Sequence, residues 1–114
     1  MKELSFQKVW HDLINVLDRE KVIYTLARRR SNRITDIGNE GIWVMTEKSS
    51  PNSELVPKWM FETAITHLFE RNALLNTALL DELHVMRSSF VMAALSRLDY
   101  VRHETNPLQI FLIN

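Results

Sequence analysis

The chain has 114 residues, no cysteine, and 14 basic side chains balanced by 14 acidic ones. A hydrophobic content of 46% excludes a mainly disordered chain, and the length suits a domain with its own core. The lack of cysteine excludes disulfides, cysteine nucleophiles and cysteine metal sites. No apolar run is long enough for a bilayer and the first residues do not resemble a secretory signal, so we expect a cytoplasmic protein without membrane contact. The net charge of zero means that any surface for nucleic acid must be local.

The N-terminal half predicts one helix followed by strands. Apolar residues recur at helical spacing over Ser5–Asp18, which indicates an amphipathic helix. β-branched and aromatic residues then predict a strand at Val22–Leu26. Two further β-prone runs, Ile34–Ile37 and Ile42–Thr46, flank a glycine-containing turn and predict a β-hairpin. The polar segment Glu47–Leu55 predicts a loop.

The C-terminal half predicts three helices and a second hairpin. Helical patterns cover Pro57–Arg71, Ala78–Leu83 and Arg87–Leu98. Two strands, Tyr100–Arg102 and Gln109–Ile113, then flank a proline-containing turn. The order of helix, short helix, tight turn, helix and hairpin is that of a winged helix-turn-helix.

These elements predict an α+β fold in a single domain over residues 1–114. A helix and β-hairpin, residues 1–46, pack on a C-terminal winged helix-turn-helix, residues 56–114. The first part is too small to be stable alone. Burial of Trp43 against the N-terminal helix is favoured over exposure, and a position in the seam between the two parts is one of the options for Trp59.

A cluster of arginines is the strongest charge feature. Four arginines stand within six residues between two predicted strands: Arg28, Arg29, Arg30 and Arg33. Guanidinium groups suit bidentate phosphate contacts, and the neighbouring Asn32 suits a base edge. The cluster therefore predicts a phosphate-binding surface. The alternative is a charged run that only solvates a loop, or that pairs with Glu20, Asp36 and Glu47.

The start of the last predicted helix supplies further candidates. Arg87, Ser88 and Ser89 are predicted to contact bases or backbone in the major groove, because arginine and serine suit both. Helical spacing predicts that Ser88 and Met92 share an outward face. The alternative is a serine that caps the helix beside a solvated arginine. Arg102 on the hairpin is predicted to hold a phosphate, and a merely exposed turn is the alternative there.

The sequence predicts no catalysis, metal or cofactor. The four histidines, at positions 11, 67, 84 and 103, lack metal-ligand spacing. A glycine-rich phosphate loop and a GxSxG nucleophile motif are both missing. We therefore expect a binding protein, and an enzyme domain that needs a partner chain is only the third interpretation.

Four segments carry a resemblance that spans about residues 22–113. They are Thr25–Ile34, Gly41–Ser49, Val56–Trp59 and Arg87–Ser89. Together they resemble a winged-helix-type domain that is appended to helicase-like or HNH-nuclease-like modules in bacterial restriction and defence proteins. The resemblance implies a DNA-associated targeting role in restriction or anti-phage defence. It also implies a nuclease or helicase module as partner, although this chain contains neither.

We therefore predict a non-catalytic module that binds double-stranded DNA. A protein–protein interaction module, such as a small inhibitor of a defence complex, is the alternative, and the zero net charge favours it. Its predicted anchors are Trp43, Met45 and Met92.

Overall fold

The computed structural model describes residues 5–46 and 52–113 of the chain. These residues form four helices and two antiparallel sheets, which confirms the predicted α+β class. Residues 47–51 of the predicted loop lie outside the described part. None of the described helices is long and apolar enough to cross a membrane.

Helix α1, Phe6–Glu20, has one buried face and closely matches the predicted helix. The Ser5 hydroxyl caps its first turn by accepting a hydrogen bond from the Lys8 N–H at 3.2 Å. Lys21 ends the helix with a φ of 66°. The buried residues of the helix are Val9, Trp10, Leu13 and Leu17.

The first sheet has four antiparallel strands in the order β1-β2-β3-β4. They are β1 (Val22–Tyr24), β2 (Ser31–Gly38), β3 (Gly41–Thr46) and β4 (Glu54–Pro57). The predicted hairpin is β2–β3 and is confirmed. The predicted first strand is wrong at its end, because it stops at Tyr24 and the chain then turns. β2 begins earlier than predicted, so Asn32 and Arg33 lie on a strand.

Strand β4 was not predicted, and its first two residues, Glu54 and Leu55, fall in the segment predicted to be a loop. Val56 lies opposite Ile42 in the ladder, and both side chains are fully buried. Gly41 permits this close pairing: its φ is 144°, and a Cβ built there would lie 2.2 Å from the Val56 carbonyl oxygen. Pairing with β3 therefore overrides the polar composition of the segment.

The C-terminal half contains three helices and a second sheet. They are α2 (Lys58–Arg71), α3 (a single π-helical turn, Ala78–Glu82) and α4 (Ser88–Leu95). Asn72 ends α2 in the left-handed conformation, with a φ of 64°. The sheet consists of β5 (Ala73–Leu75), β6 (Val101–Thr105) and β7 (Leu108–Leu112), in the order β5-β7-β6. The predicted hairpin is β6–β7, whereas β5 was not predicted.

A continuous core joins the two halves. The Trp10 and Phe61 rings lie 5.4 Å apart, and the Phe61 and Phe90 rings lie 6.2 Å apart, so aromatic contacts link α1, α2 and α4. Helix α4 packs on α1, α2, β1 and β7. Every residue of Phe90–Leu95 is at most 2% exposed, so this helix is surrounded by the rest of the chain.

Polar contacts also connect α1 to the segment after α4. The Tyr100 hydroxyl donates to Asp12 Oδ2 at 2.9 Å, and Arg97 donates two hydrogen bonds to Glu20, at 2.8 and 3.0 Å. The hydrogen bond from Lys8, and then that from Tyr100, lowers the pKa of the Asp12 carboxyl despite partial burial. Burial and the contact with Asp12 raise the pKa of the Tyr100 hydroxyl, which therefore stays the donor.

Candidate functional site

The segment between β1 and β2, residues 25–30, forms a tight loop that we call the arginine loop. Thr25 closes it with three hydrogen bonds: its N–H donates to the Arg30 carbonyl at 2.9 Å, its carbonyl accepts from the Arg29 N–H at 3.0 Å, and its hydroxyl accepts from the Arg30 N–H at 2.9 Å. Arg29 has a φ of 58°, and its guanidinium lies 5.6 Å from the centre of the Tyr24 ring. These contacts fix the loop at the surface, with Arg28 and Arg29 exposed.

An open cleft of about 540 Å³ lies beside this loop. Arg28 and Arg30 line it from the arginine loop. Asn76 before α3, Ser89 in the first turn of α4 and Leu108 at the start of β7 line it from the C-terminal half. The fold thus brings together three regions that were predicted separately: the arginine cluster, the helix start and the hairpin.

Asn76 contributes a polar side chain to the cleft lining. Its Oδ1 atom is buried and has no hydrogen-bond partner among the described residues. An unpaired buried acceptor costs about 1–3 kcal/mol. Asn76 is therefore a polar group in the cleft wall whose own hydrogen bonds the described residues do not complete.

The remaining members of the predicted arginine cluster lie apart from the cleft or inside the protein. Arg33 is exposed on β2, opposite Met45, and does not line the cleft. Asn32 also borders the cleft but is only 4% exposed, and its amide donates to the Arg30 carbonyl at 3.2 Å. Its amide thus supports the loop, and we remove Asn32 from the proposed base contacts.

The start of α4 differs from the prediction. Ser88 is 3% exposed and Met92 is fully buried, so the prediction that they share an outward face is wrong. The Arg87 Nη1 atom lies 2.6 Å from Glu54 Oε1, and this ion pair ties α4 to β4. Only Ser89 at this helix start is both exposed and placed in the cleft.

The hairpin β6–β7 reaches the cleft at its turn. Leu108 lines the cleft and pairs with Thr105. Arg102 is exposed but lies three residues before Thr105, about 10 Å along the strand. Arg102 is therefore separated from the cleft wall, at the far end of the same hairpin.

The guanidinium groups of the arginine cluster have no carboxylate partner in the described part of the chain: none of Arg28, Arg29, Arg30 and Arg33 forms an ion pair there. Two of the three predicted acidic partners have other contacts, because Glu20 accepts from Arg97 and Asp36 accepts from the Ile37 N–H at 2.9 Å. Neither of these two residues neutralises the cluster. Glu47, the third predicted partner, lies outside the described residues.

Exposed apolar side chains lie at other positions than predicted. Trp43 is half-buried and lies on the other face of β3 from its neighbour Ile42, so it does not join the core. Trp59 is 48% exposed and Met86 is 74% exposed. Of the predicted protein-binding anchors, Met92 is fully buried.

A metal centre is not assembled in the described part of the chain, where no group of three or more histidine, aspartate or glutamate side chains could hold an ion. Comparison with known proteins gives no match: no protein-family model, no curated protein and no solved structure matches the chain. The cleft therefore has to be interpreted from its own residues: Arg28 and Arg30, which have no ion pair within residues 5–46 and 52–113, on one wall, and Ser89 and Asn76 on the other.

Proposed function

We propose that the chain is a non-catalytic module that binds double-stranded DNA through the cleft. The observation that carries this proposal is the convergence of Arg28, Arg30 and Ser89 around one open cleft beside the hairpin turn. Unpaired guanidinium groups bind phosphate oxygens in a bidentate manner. A serine hydroxyl at a helix start adds a further phosphate donor.

We further propose that residues 58–112 form a winged helix-turn-helix. In support, three helices precede a hairpin, and the hairpin joins β5 in a three-stranded sheet. The hairpin then corresponds to the wing, and α4 to the helix that enters the major groove in such domains.

The mode of binding must differ from a helix laid into the groove. Because Phe90–Leu95 is buried among elements of both halves of the chain, α4 cannot present these residues to bases. The arginine loop takes the outer position instead, with Ser89 and the hairpin turn as neighbours. Phosphate contacts of this kind position a duplex without reading its sequence, so binding is expected to be weakly sequence-specific.

The place of this activity in bacterial restriction or anti-phage defence is part of the proposal. It depends on the resemblance of Thr25–Ile34 and Arg87–Ser89 to domains appended to nuclease or helicase modules. A nuclease or helicase partner follows from the same resemblance, and the proposed location is the cytoplasm.

A protein-interaction module is the second candidate. The exposed side chains of Trp59 and Met86 favour it, because large apolar groups are typical anchors at protein interfaces. The zero net charge fits it as well. In this case the cleft arginines would be dispensable for partner binding.

Fluorescence anisotropy with a labelled duplex tests the first proposal. Affinity should fall steeply between about 50 and about 200 mM salt, with a slope of about −0.9 per phosphate contacted. Arg28→Ala/Arg30→Ala should reduce the magnitude of that slope by about 2, because two phosphate contacts are removed.

A matched control separates the cleft from total charge. Arg19→Ala/Arg71→Ala removes the same two charges from exposed residues in the last turns of α1 and α2. The control should bind like the wild type. Equal losses of affinity in both double variants would mean that binding depends on net charge and not on the cleft. A folded wild type that binds no duplex would contradict the proposal and favour the protein-interaction module.

A further inference from the structure

Strand β6 forms an edge of the second sheet. The order β5-β7-β6 leaves one side of β6 without a strand partner among the described residues. Residues 102–105 are all exposed. Such an edge can accept an additional strand through backbone hydrogen bonds.

The hydrogen bonds to β7 show which backbone groups of β6 are directed outward. The Ile113 N–H donates to the Tyr100 carbonyl directly opposite, at 3.0 Å. The next residue of β7, Leu112, donates instead to Asn72 on the β5 side, at 2.9 Å. Along an antiparallel pair of strands, residues that bond to the opposite strand alternate with residues that do not. Since Tyr100 bonds to this side, the even-numbered residues of β6 bond to β7. Outward-directed groups therefore belong to Val101, His103 and Thr105.

This alternation limits how two β6 strands can pair with each other. Residues whose N–H and C=O groups are directed outward must lie opposite such residues of the second copy. This condition is met when the two-fold axis passes through residue 102, 103 or 104. An axis at Arg102 places this arginine against its own copy, and an axis at Glu104 does the same with the carboxylate. Only an axis at His103 places each Arg102 opposite a Glu104, and it does so twice.

We propose that β6 is a self-association surface at which two copies of the chain pair antiparallel around His103. The two His103 residues exchange their N–H and C=O groups across the axis. Each Thr105 N–H bonds to the Val101 carbonyl of the second copy. The Val101 N–H already donates to the Leu98 carbonyl at 3.1 Å, so it is not left unsatisfied by the pairing.

The side chains of β6 carry opposite charges where the two copies would meet. The amide of Gln109, on the neighbouring strand β7, donates to Glu104 Oε1 at 2.8 Å. Arg102 has no ion pair among the described residues. Opposed residues that do not exchange backbone bonds have the closer side chains, and Arg102 and Glu104 occupy these positions. Opposite charges placed there stabilise a strand pair, and like charges destabilise it.

Sedimentation equilibrium of the full chain without DNA tests the dimer independently of the proposed function. A short strand edge buries little surface and forms a weak dimer, so the range should extend from about 10 µM to about 1 mM. Arg102→Glu and Glu104→Arg each place like charges across every allowed register. Each should raise the dissociation constant at least about tenfold, equivalent to about 1.4 kcal/mol.

The charge-swapped double variant is the decisive control. Arg102→Glu/Glu104→Arg restores both opposite-charge pairs and should return the dissociation constant to within about threefold of the wild type. His103→Pro removes an outward N–H and spares the ladder to β7, so it should abolish the dimer with little change in Tm. A wild type that stays monomeric throughout, single variants that associate like the wild type, or a folded double variant as weak as the singles would overturn the proposal.

Discussion

Thr25 determines the shape of the arginine loop, and its hydroxyl can be removed with little change in volume. Thr25→Val deletes the acceptor of the Arg30 N–H, a bond of 2.9 Å at a residue that is only 9% exposed. A lost hydrogen bond costs about 1 kcal/mol, and the unsatisfied N–H raises the cost to about 1–2 kcal/mol. For a chain of this length, we expect Tm to fall by about 4–8 °C.

The same substitution should weaken DNA binding, because a loosened loop must be ordered again on the duplex. An ordering cost of about 1 kcal/mol corresponds to about a fivefold loss of affinity. Urea unfolding and fluorescence anisotropy measure the two effects on one sample. Thr25→Ser keeps the hydroxyl and serves as the control. If Thr25→Val and Thr25→Ser behave alike in both assays, the hydroxyl does not organise the loop and the reasoning is refuted.

Three further predictions concern the fold that holds the cleft. Met92→Gln should destabilise the chain by about 2–4 kcal/mol in urea unfolding, because it buries an amide in the core, whereas a near-neutral effect would place Met92 at the surface. Tyr100→Phe should cost about 1 kcal/mol at pH 7. Its cost should shrink as the pH falls below 3.8, because hydrogen bonds hold the pKa of the Asp12 carboxyl below that value. The ionised carboxylate stabilises the fold at higher pH, and this contribution is lost as Asp12 is protonated; a cost that is independent of pH would contradict this. Gly41→Ala should destabilise the chain by about 3 kcal/mol in thermal melting, because the new Cβ overlaps backbone atoms at a strained φ. Gly38→Ala is the control and should cost much less, because its Cβ meets only a flexible side chain. Equal costs would show that close approach of the strands does not require Gly41.

Long amphipathic patterns predicted much of the fold. Helix α1 and helix α2 were predicted because their apolar residues recur over several turns. Strands β4 and β5 were missed. They have only four and three residues, and they exist because a neighbouring strand offers hydrogen bonds.

The error at α4 has a different cause. Serine and methionine positions such as Ser88 and Met92 look suitable for an outward face when one helix is considered alone. In the folded chain, α4 packs on elements of both halves, and helical periodicity within one element contains no information about those contacts. Pairing between Arg87 and Glu54 likewise joins residues that are distant in sequence.

The candidate site was predictable in part. The arginine cluster is visible in the sequence as a dense charge run, and its position between strands was expected. The meeting of Arg28 and Arg30 with Ser89 and Leu108 depends on how the two sheets pack, which local patterns do not specify. The unpaired oxygen of Asn76 also becomes visible only after folding.

NMR titration of the ¹⁵N-labelled chain with a short duplex tests DNA binding at the cleft, because it locates the contact residue by residue. We expect the largest amide shift changes in the arginine loop and at Asn76, Ser89 and Leu108, and little change at the amides of Phe90–Leu95. The same pattern should fade in Arg28→Ala/Arg30→Ala and persist in Arg19→Ala/Arg71→Ala. Shift changes centred on Trp59 and Met86, or none at all with a folded sample, would contradict the assignment of the cleft as a DNA-binding site.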